Sequence, residues 1–458
     1  MKLEPLKKKT KLHQNSLHTH THTYIFFSFK TSELETKDYC MDIHTDASSI
    51  PSSFGDLEHH MSRVKKEQRD KAKGIFKRII PNDKLRNELH LYLCILTATV
   101  IGNCARMGIT DLSSYELAFM QPITVLWANC TSNIAMGFMQ AMLAEPGFME
   151  EHMILFMTIT TGFCGAYSSF SGMVVSIFEH STSLTTFEVK NSQQLPNPGY
   201  GVMAFLSVTM AHMFMCMSGL LFGRKLATDI IIRYFSVEYV VPEGFEGDIT
   251  SCDIFDSESD HSIEENMHND EGKQVTLCKK PCPGLRWLFL AIDHTMAALG
   301  IPLAIIMVVL ASYYDNYSRA KWTLPSLFGF FGAFLRYGLS TNLNSVFKWF
   351  PLGTFIANVS ATLFTAILSI INRGRRAPHS DLPIANTAHK CRIVYALIEG
   401  FCATLSTVSA FIHEGYVMSF FRMLSYYGIS IGASYISCVV TLGAFAWRRG
   451  LVDPLCPN

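Results

Sequence analysis

The feature that most restricts this chain is a series of long apolar runs. They cover residues 89–108, 117–144, 153–178, 199–222, 285–313, 323–342, 350–371, 391–413 and 416–447. Runs of roughly 20 apolar residues match the thickness of a bilayer's hydrocarbon core. Within that core each backbone N–H and C=O must find a partner inside the protein, which uninterrupted apolar runs achieve as helices. The chain therefore reads as an all-α membrane protein with nine spans. Composition agrees. Only 17% of residues are charged, against about a quarter in soluble proteins. The formal net charge is zero, which excludes a general nucleic-acid binder.

Between and around the runs the composition changes. Residues 1–88 are polar and aperiodic and read as a disordered cytoplasmic tail. Its alternating His18, His20 and His22 suit either a metal-ligand set or a solvated tail, and the low complexity favours the tail. The apolar stretch Tyr24–Phe29 is too short for a cleavable signal. Residues 223–284 read as an acidic cytoplasmic loop, with Asp253, Asp256, Glu258, Asp260, Glu264 and Glu265. Residues 448–458 form a short C-terminal tail. Cys94, Cys104, Cys130, Cys164, Cys216, Cys402 and Cys438 fall inside apolar runs and are expected to be small packing residues. Cys278 and Cys282 alone make a weak zinc signal, and acylation of Cys282 has equally little to support it. The basic cluster Lys65 to Arg78, with Arg224 and Lys225, places the N-terminus in the cytoplasm. With nine spans, Arg373, Arg375, Arg376, Arg448 and Arg449 then lie outside, against the positive-inside tendency, while the sequon at Asn316 faces outward.

The runs repeat. Gly102, Arg106 and Gly108 recur in the same spacing as Gly332, Arg336 and Gly338. Ala128–Asn129 recurs as Ala357–Asn358, and Gly162–Phe163–Cys164 as Gly400–Phe401–Cys402. The order is kept at a nearly constant offset, so two four-helix repeats, 89–222 and 323–447, are joined by one linking span, 285–313. An odd insertion between two even units turns the second upside down, the arrangement of many transport proteins.

Polar groups within a span need a reason. Asn129 and Asn358 each fit an interhelical hydrogen bond, but their recurrence suits a pair of amide donors for an anion. Arg106 and Arg336 read as snorkelling cations, as an electropositive vestibule or as partners of exposed helix-end carbonyls. In the third and eighth runs, glycine lies among Ser168, Ser169 and Ser171, and again before Thr404, Ser406, Thr407 and Ser409. Small residues of this kind permit either close packing or a broken helix whose backbone lines an ion path.

Together these residues resemble the CrcB/Fluc/FEX fluoride channel family, in its eukaryotic two-repeat form, over about residues 89–447. The motif is carried by Gly162-Phe163-Cys164-Gly165-Ala166-Tyr167-Ser168-Ser169-Phe170-Ser171-Gly172-Met173, by Gly400 to Phe411, and by Gly353-Thr354 before Asn358. The resemblance implies passive fluoride export across the plasma membrane by one two-repeat chain, with fluoride and the lipid bilayer as partners and no enzymatic activity. It implies a pore completed by Phe170 and Phe411, whose ring edges face the anion, and a degenerate pore marked by Met173 and Val408. It also implies a structural sodium ion on the carbonyls of Gly165, Ser168, Ala403 and Ser406. Hydroxyl tracks are expected at Ser207 and Thr209 and at Ser430 and Ser434, and an acidic position at Glu414, replaced by Ser176 in the first repeat. No other cofactor is expected.

Two other readings compete. A proton-coupled anion transporter needs a carboxylate in the membrane, for which Asp293 and Glu399 are candidates. An intramembrane serine protease is suggested by Gly428-Ile429-Ser430-Ile431-Gly432, with His212 or His294 as base.

Overall fold

A computed structural model describes residues 83–114, 125–143, 148–185, 195–232, 236–241, 276–281, 283–313, 317–347, 349–377 and 381–455. Most of the predicted tail (with His18, His20 and His22), the acidic run 242–275, Cys282 and the sequon Asn316 lie outside the described residues.

The described chain is helical apart from one hairpin-like ribbon. Helix α1 is Asp83–Ser113, α2 Val125–Leu143 and α3 Phe148–Met157. A π-helical segment, Thr158–Cys164, and a short turn, Gly165–Tyr167, carry α3 up to a break, after which α4 runs Phe170–Thr182. Helix α5 is Pro198–Leu226, extended by π-helical Ala227–Ile232. Strands β1, Ser236–Val241, and β2, Thr276–Pro281, pair antiparallel, so both flanks of the expected loop are ordered as a ribbon. Helix α6 is Pro283–Tyr313, α7 Tyr317–Leu343 and α8 Leu352–Arg373. Helix α9, Ala388–Ala396, again continues through a π-helical segment, Leu397–Cys402, and a short turn, Ala403–Leu405, to a break before α10, Val408–Tyr416. Helix α11 is Phe420–Cys438 and continues, through Val439–Gly443, to Arg449. The π-helical segment precedes the break in both halves, in keeping with the placement of such segments at functional sites.

Seven of the described helical stretches are long and apolar enough to cross a membrane. Helices α2 and α7 coincide with two further expected spans but fall outside that set. Asn129, Thr131, Ser132, Asn133 and Gln140 lower the hydropathy of α2, and Arg319, Lys321 and Arg336 that of α7. Helix α6 is apolar almost throughout, and Trp287, Ile301, Ile305 and Val308 are exposed. One side of α6 is tied to α1. Asp293 accepts from the His90 ring at 2.9 Å, and the hydroxyl of Thr97 donates to the Met296 carbonyl at 2.7 Å.

The helices that open the two halves run in opposite directions against each other. Tyr92 meets Phe334 and Tyr337, Asn103 donates to the Pro325 carbonyl, and Lys321 pairs with Asp111. Rising numbers on α1 therefore meet falling numbers on α7. The free cysteines in the apolar runs include five buried thiols, at Cys94, Cys164, Cys216, Cys402 and Cys438.

Helices α2 and α5 pack parallel and nearly backbone to backbone. A Cβ added to Gly137 would collide with the Leu220 carbonyl, one on Gly219 would lie 2.8 Å from the Cys130 carbonyl, and one on Gly223 would collide with the Ile134 carbonyl. Backbone atoms cannot yield as flexible side-chain ends do, so this seam needs small residues. Gly223→Val is expected to destabilise the protein by about 3 kcal/mol or more, read as a fall in the unfolding midpoint in detergent. Gly428→Ala, where the added Cβ meets nothing within 4 Å, is the neutral control.

Candidate ion pathway at the paired helix breaks

The two breaks are built alike and lie against each other. Ser168 and Ser169 are extended, as are Ser406 and Thr407. A helix broken inside a membrane protein frees N–H groups on one side of the gap and carbonyls on the other, and both need partners. Within each half, an asparagine from the second helix supplies one pair. Asn129 Oδ1 accepts from the Ser169 N–H at 2.8 Å and its Nδ2 donates to the Ser169 carbonyl at 3.3 Å. Asn358 does the same to Thr407, at 2.8 and 3.3 Å. Ser169 and Thr407 then cap their own helices, accepting from the N–H groups of Gly172 and Ala410.

The remaining donors are met across the halves. The Ser168 hydroxyl oxygen accepts from the N–H groups of Val408 and Ser409, at 3.2 and 3.3 Å. The Ser406 hydroxyl oxygen accepts from the Ser171 N–H at 3.0 Å. Each break thus caps the helix that starts at the other.

The two arginines, equivalent in sequence, differ in fate. Arg336 is buried, and its described hydrogen bonds all end on carbonyls of the two broken segments. Nη1 donates to Gly165 at 2.7 Å, Thr404 at 2.5 Å and Ser406 at 3.4 Å, and Nη2 donates to Thr161. Arg106, also buried, donates to the Ala166 carbonyl at 3.2 Å, to Asn103 Oδ1 at 2.5 Å, and to both the carbonyl and the carboxylate of Glu399. Both arginines bind helix-end carbonyls, one of the roles weighed for them, and Arg106 adds an ion pair with Glu399.

Phe170 and Phe411, both fully buried, meet edge to face with centroids 5.0 Å apart. Phe411 also contacts the rings of Tyr426, at 5.0 Å, and Tyr427, at 4.6 Å. Met173 and Val408 are buried in the same apolar cluster. Glu414 is buried and receives hydrogen bonds from Thr354 at 2.6 Å, Tyr426 at 2.7 Å and Asn344 at 3.3 Å. Among the described residues the first half has no such network. Ser176 stands at the matching position, and its buried hydroxyl has no partner.

On α11, Ser430 and Ser434 are fully buried one turn apart, and neither hydroxyl has a protein partner. In the first half the expected track is out of register. Ser207 is exposed, whereas Val208, His212 and Cys216 are buried at the spacing of Ser430, Ser434 and Cys438. Thr209 is intermediate in burial, and its hydroxyl is buried without a partner. Helix α5 is apolar on every side, so its sequence carried no signal for which row faces inward. The clamps are the interhelical hydrogen bonds that Asn129 and Asn358 fit, whereas the cross-caps have no signal in the sequence. The recurrence of Asn129 and Asn358, each 40 to 49 residues before the residue it clamps, was the signal that pointed to paired roles.

The competing readings gain no geometry. Ser430 has no histidine partner, and His212 Nδ1 is bonded to the Val208 carbonyl. Glu399 is paired with Arg106 and Asp293 with His90.

Comparison with known proteins bears on this architecture. The chain is 45% identical to Fluoride export protein 2 of Saccharomyces cerevisiae over 382 residues, which is 83% of this chain and all of that protein. This chain belongs to the fluoride export protein family. Fluoride export protein 1 of the same yeast is equally similar, at 45% over 382 residues, 83% of this chain and all of that relative. The family model described as CrcB-like protein, Camphor Resistance, matches residues 323–444, the second repeat. A bacterial relative, Fluoride-specific ion channel FluC 1 of Rhodopseudomonas palustris, is 33% identical over 99 residues, 21% of this chain and 69% of its own length. No solved structure matches the chain. As in its relatives, the class is transport rather than enzymatic, and the chain is a multi-pass membrane protein.

The clamps make a specific prediction for this family member. Asn358→Ala leaves the buried N–H and carbonyl of Thr407 without these partners, and Asn129→Ala does the same at Ser169. Each is expected to cost about 1–3 kcal/mol, measured as a lowered unfolding midpoint of the purified protein.

Proposed function

We propose that this protein exports fluoride as a passive channel of the plasma membrane, one chain forming the whole unit from two inverted four-helix repeats and a linking helix, nine spans in all. The opposed directions of α1 and α7 and the reciprocal capping of the breaks support the inverted arrangement. The names of the relatives support fluoride as the ion.

The observation that carries the reading is the row of Ser430 and Ser434 on the helix whose Tyr426 and Tyr427 pack against Phe411. A buried hydroxyl without a partner is costly, and a hydroxyl, rotating freely, presents a donor to an anion. Ring edges carry partial positive charge, so Phe170 and Phe411 complete a surface that suits a dehydrated halide. The second amide hydrogens of Asn129 and Asn358, left over from the clamps, add donors beside it. Conduction needs binding that replaces water without holding the ion, which hydroxyls and ring edges supply more gently than a fixed cation. Met173 and Val408 replace the aromatic pair on the other path, which we read as degenerate. The ion pairs of Glu399 and Asp293 leave no free carboxylate for proton coupling there, in line with passive flow driven outward by a negative-inside potential.

Fluoride efflux from proteoliposomes, followed by electrode with chloride as control, tests this. Phe411→Ala and Phe170→Ala are expected to slow efflux by about 100-fold, roughly 3 kcal/mol of barrier, and Met173→Ala by less than about threefold. Equal losses at Phe411 and Met173 would refute the one-path assignment. Ser430→Ala should lower efflux by about tenfold while leaving stability unchanged or up by about 1 kcal/mol, because it removes an unsatisfied group. A hydroxyl serving only packing would give no loss of flux.

A further inference from the structure

The carbonyls freed at the two breaks are electronegative, as helix C-terminal ends are, and they converge from both halves. In the fluoride channel reading, on which the following comparison rests, a sodium ion would neutralise them through Gly165, Ser168, Ala403 and Ser406. The residues present do not fit that ion. The carbonyls of Gly165 and Ser406 accept from Arg336 Nη1, and the Ala403 carbonyl accepts from the Ser406 hydroxyl at 3.3 Å. Among the described residues no carboxylate lies within ion-pair distance of Arg336, so its charge is answered by carbonyls alone.

We infer that the Arg336 guanidinium is this chain's resident structural cation, seated at the junction of the breaks in place of a metal ion. It remains charged throughout the ordinary pH range and holds a fixed planar array of donors. Its tether means that it cannot be diluted away.

The asymmetry of the two halves explains why Arg336 takes this place and Arg106 does not. At Gly165 an added Cβ would fall among the guanidinium atoms, so the missing side chain is the room that the cation occupies. The matching residue in the second half is Ala403, which carries a methyl group where Gly165 has none. The Thr161 carbonyl accepts from Arg336, whereas its counterpart, Glu399, offers Arg106 a carboxylate as well as a carbonyl. Arg336 is bonded to four of these carbonyls, whereas Arg106 is bonded to two and is held by an ion pair.

The test uses the full-length protein purified in detergent and, in parallel, reconstituted in liposomes. Sodium is replaced completely by N-methylglucamine. The unfolding midpoint of the wild-type protein is expected to move by less than about 1 °C, and fluoride efflux to stay the same. A bound ion stabilises by mass action, so a rise of about 3 °C or more with added sodium would overturn the inference. Gly165→Ala keeps all four carbonyls and puts a methyl group where the guanidinium lies. Its midpoint should fall by at least about 4 °C, and an unchanged midpoint would count equally against Arg336. Because the midpoint is read without any flux, an absence of fluoride transport would refute the channel reading and leave this result standing.

Discussion

Two broken helices that complete one another are the constraint from which the rest of this molecule follows. A gap in a membrane helix exposes donors and acceptors that lipid cannot satisfy. Here the Ser168 hydroxyl serves the N–H groups of Val408 and Ser409, and the Ser406 hydroxyl serves that of Ser171. Neither break is complete without the other, so the halves fold around a shared junction. Asn129 and Asn358 hold the extended residues from outside, and Arg336 answers the carbonyls from within. The polar atoms thus serve the backbone first, and the hydroxyls of Ser430 and Ser434 are among those left without a partner.

Much of the fold was legible because membrane helices announce themselves by length and apolarity. Three short motifs recur in order, and the breaks that follow the two copies of the last are built alike. The glycine and hydroxyl residues left close packing and a broken helix both open, and the helix is broken in each half. The pairing of Phe170 with Phe411 came through the family resemblance, and the two rings do meet, at 5.0 Å.

What stayed hidden depends on contacts between distant residues. One local difference separates Arg106 from Arg336: Asn103, whose Oδ1 accepts from Arg106, has Ala333 as its counterpart. The other differences lie at Gly165 and Ala403, and at Thr161 and Glu399, on other helices. The inward row of α5 was missed for a different reason. A helix apolar all round has no phase to read, and Val208 and His212, not Ser207, are buried. On α11, Ser430 and Ser434 lie one turn apart, and both are buried.

The glycine at 165 has a consequence for how such a chain can be assembled. Two identical halves meeting at a symmetry axis would each bring an arginine to the same small space, and like charges at such range repel strongly. Only unequal halves can let one arm in and turn the other aside. Joining them in a single polypeptide guarantees that each molecule receives one of either kind, which separate subunits drawn at random could not.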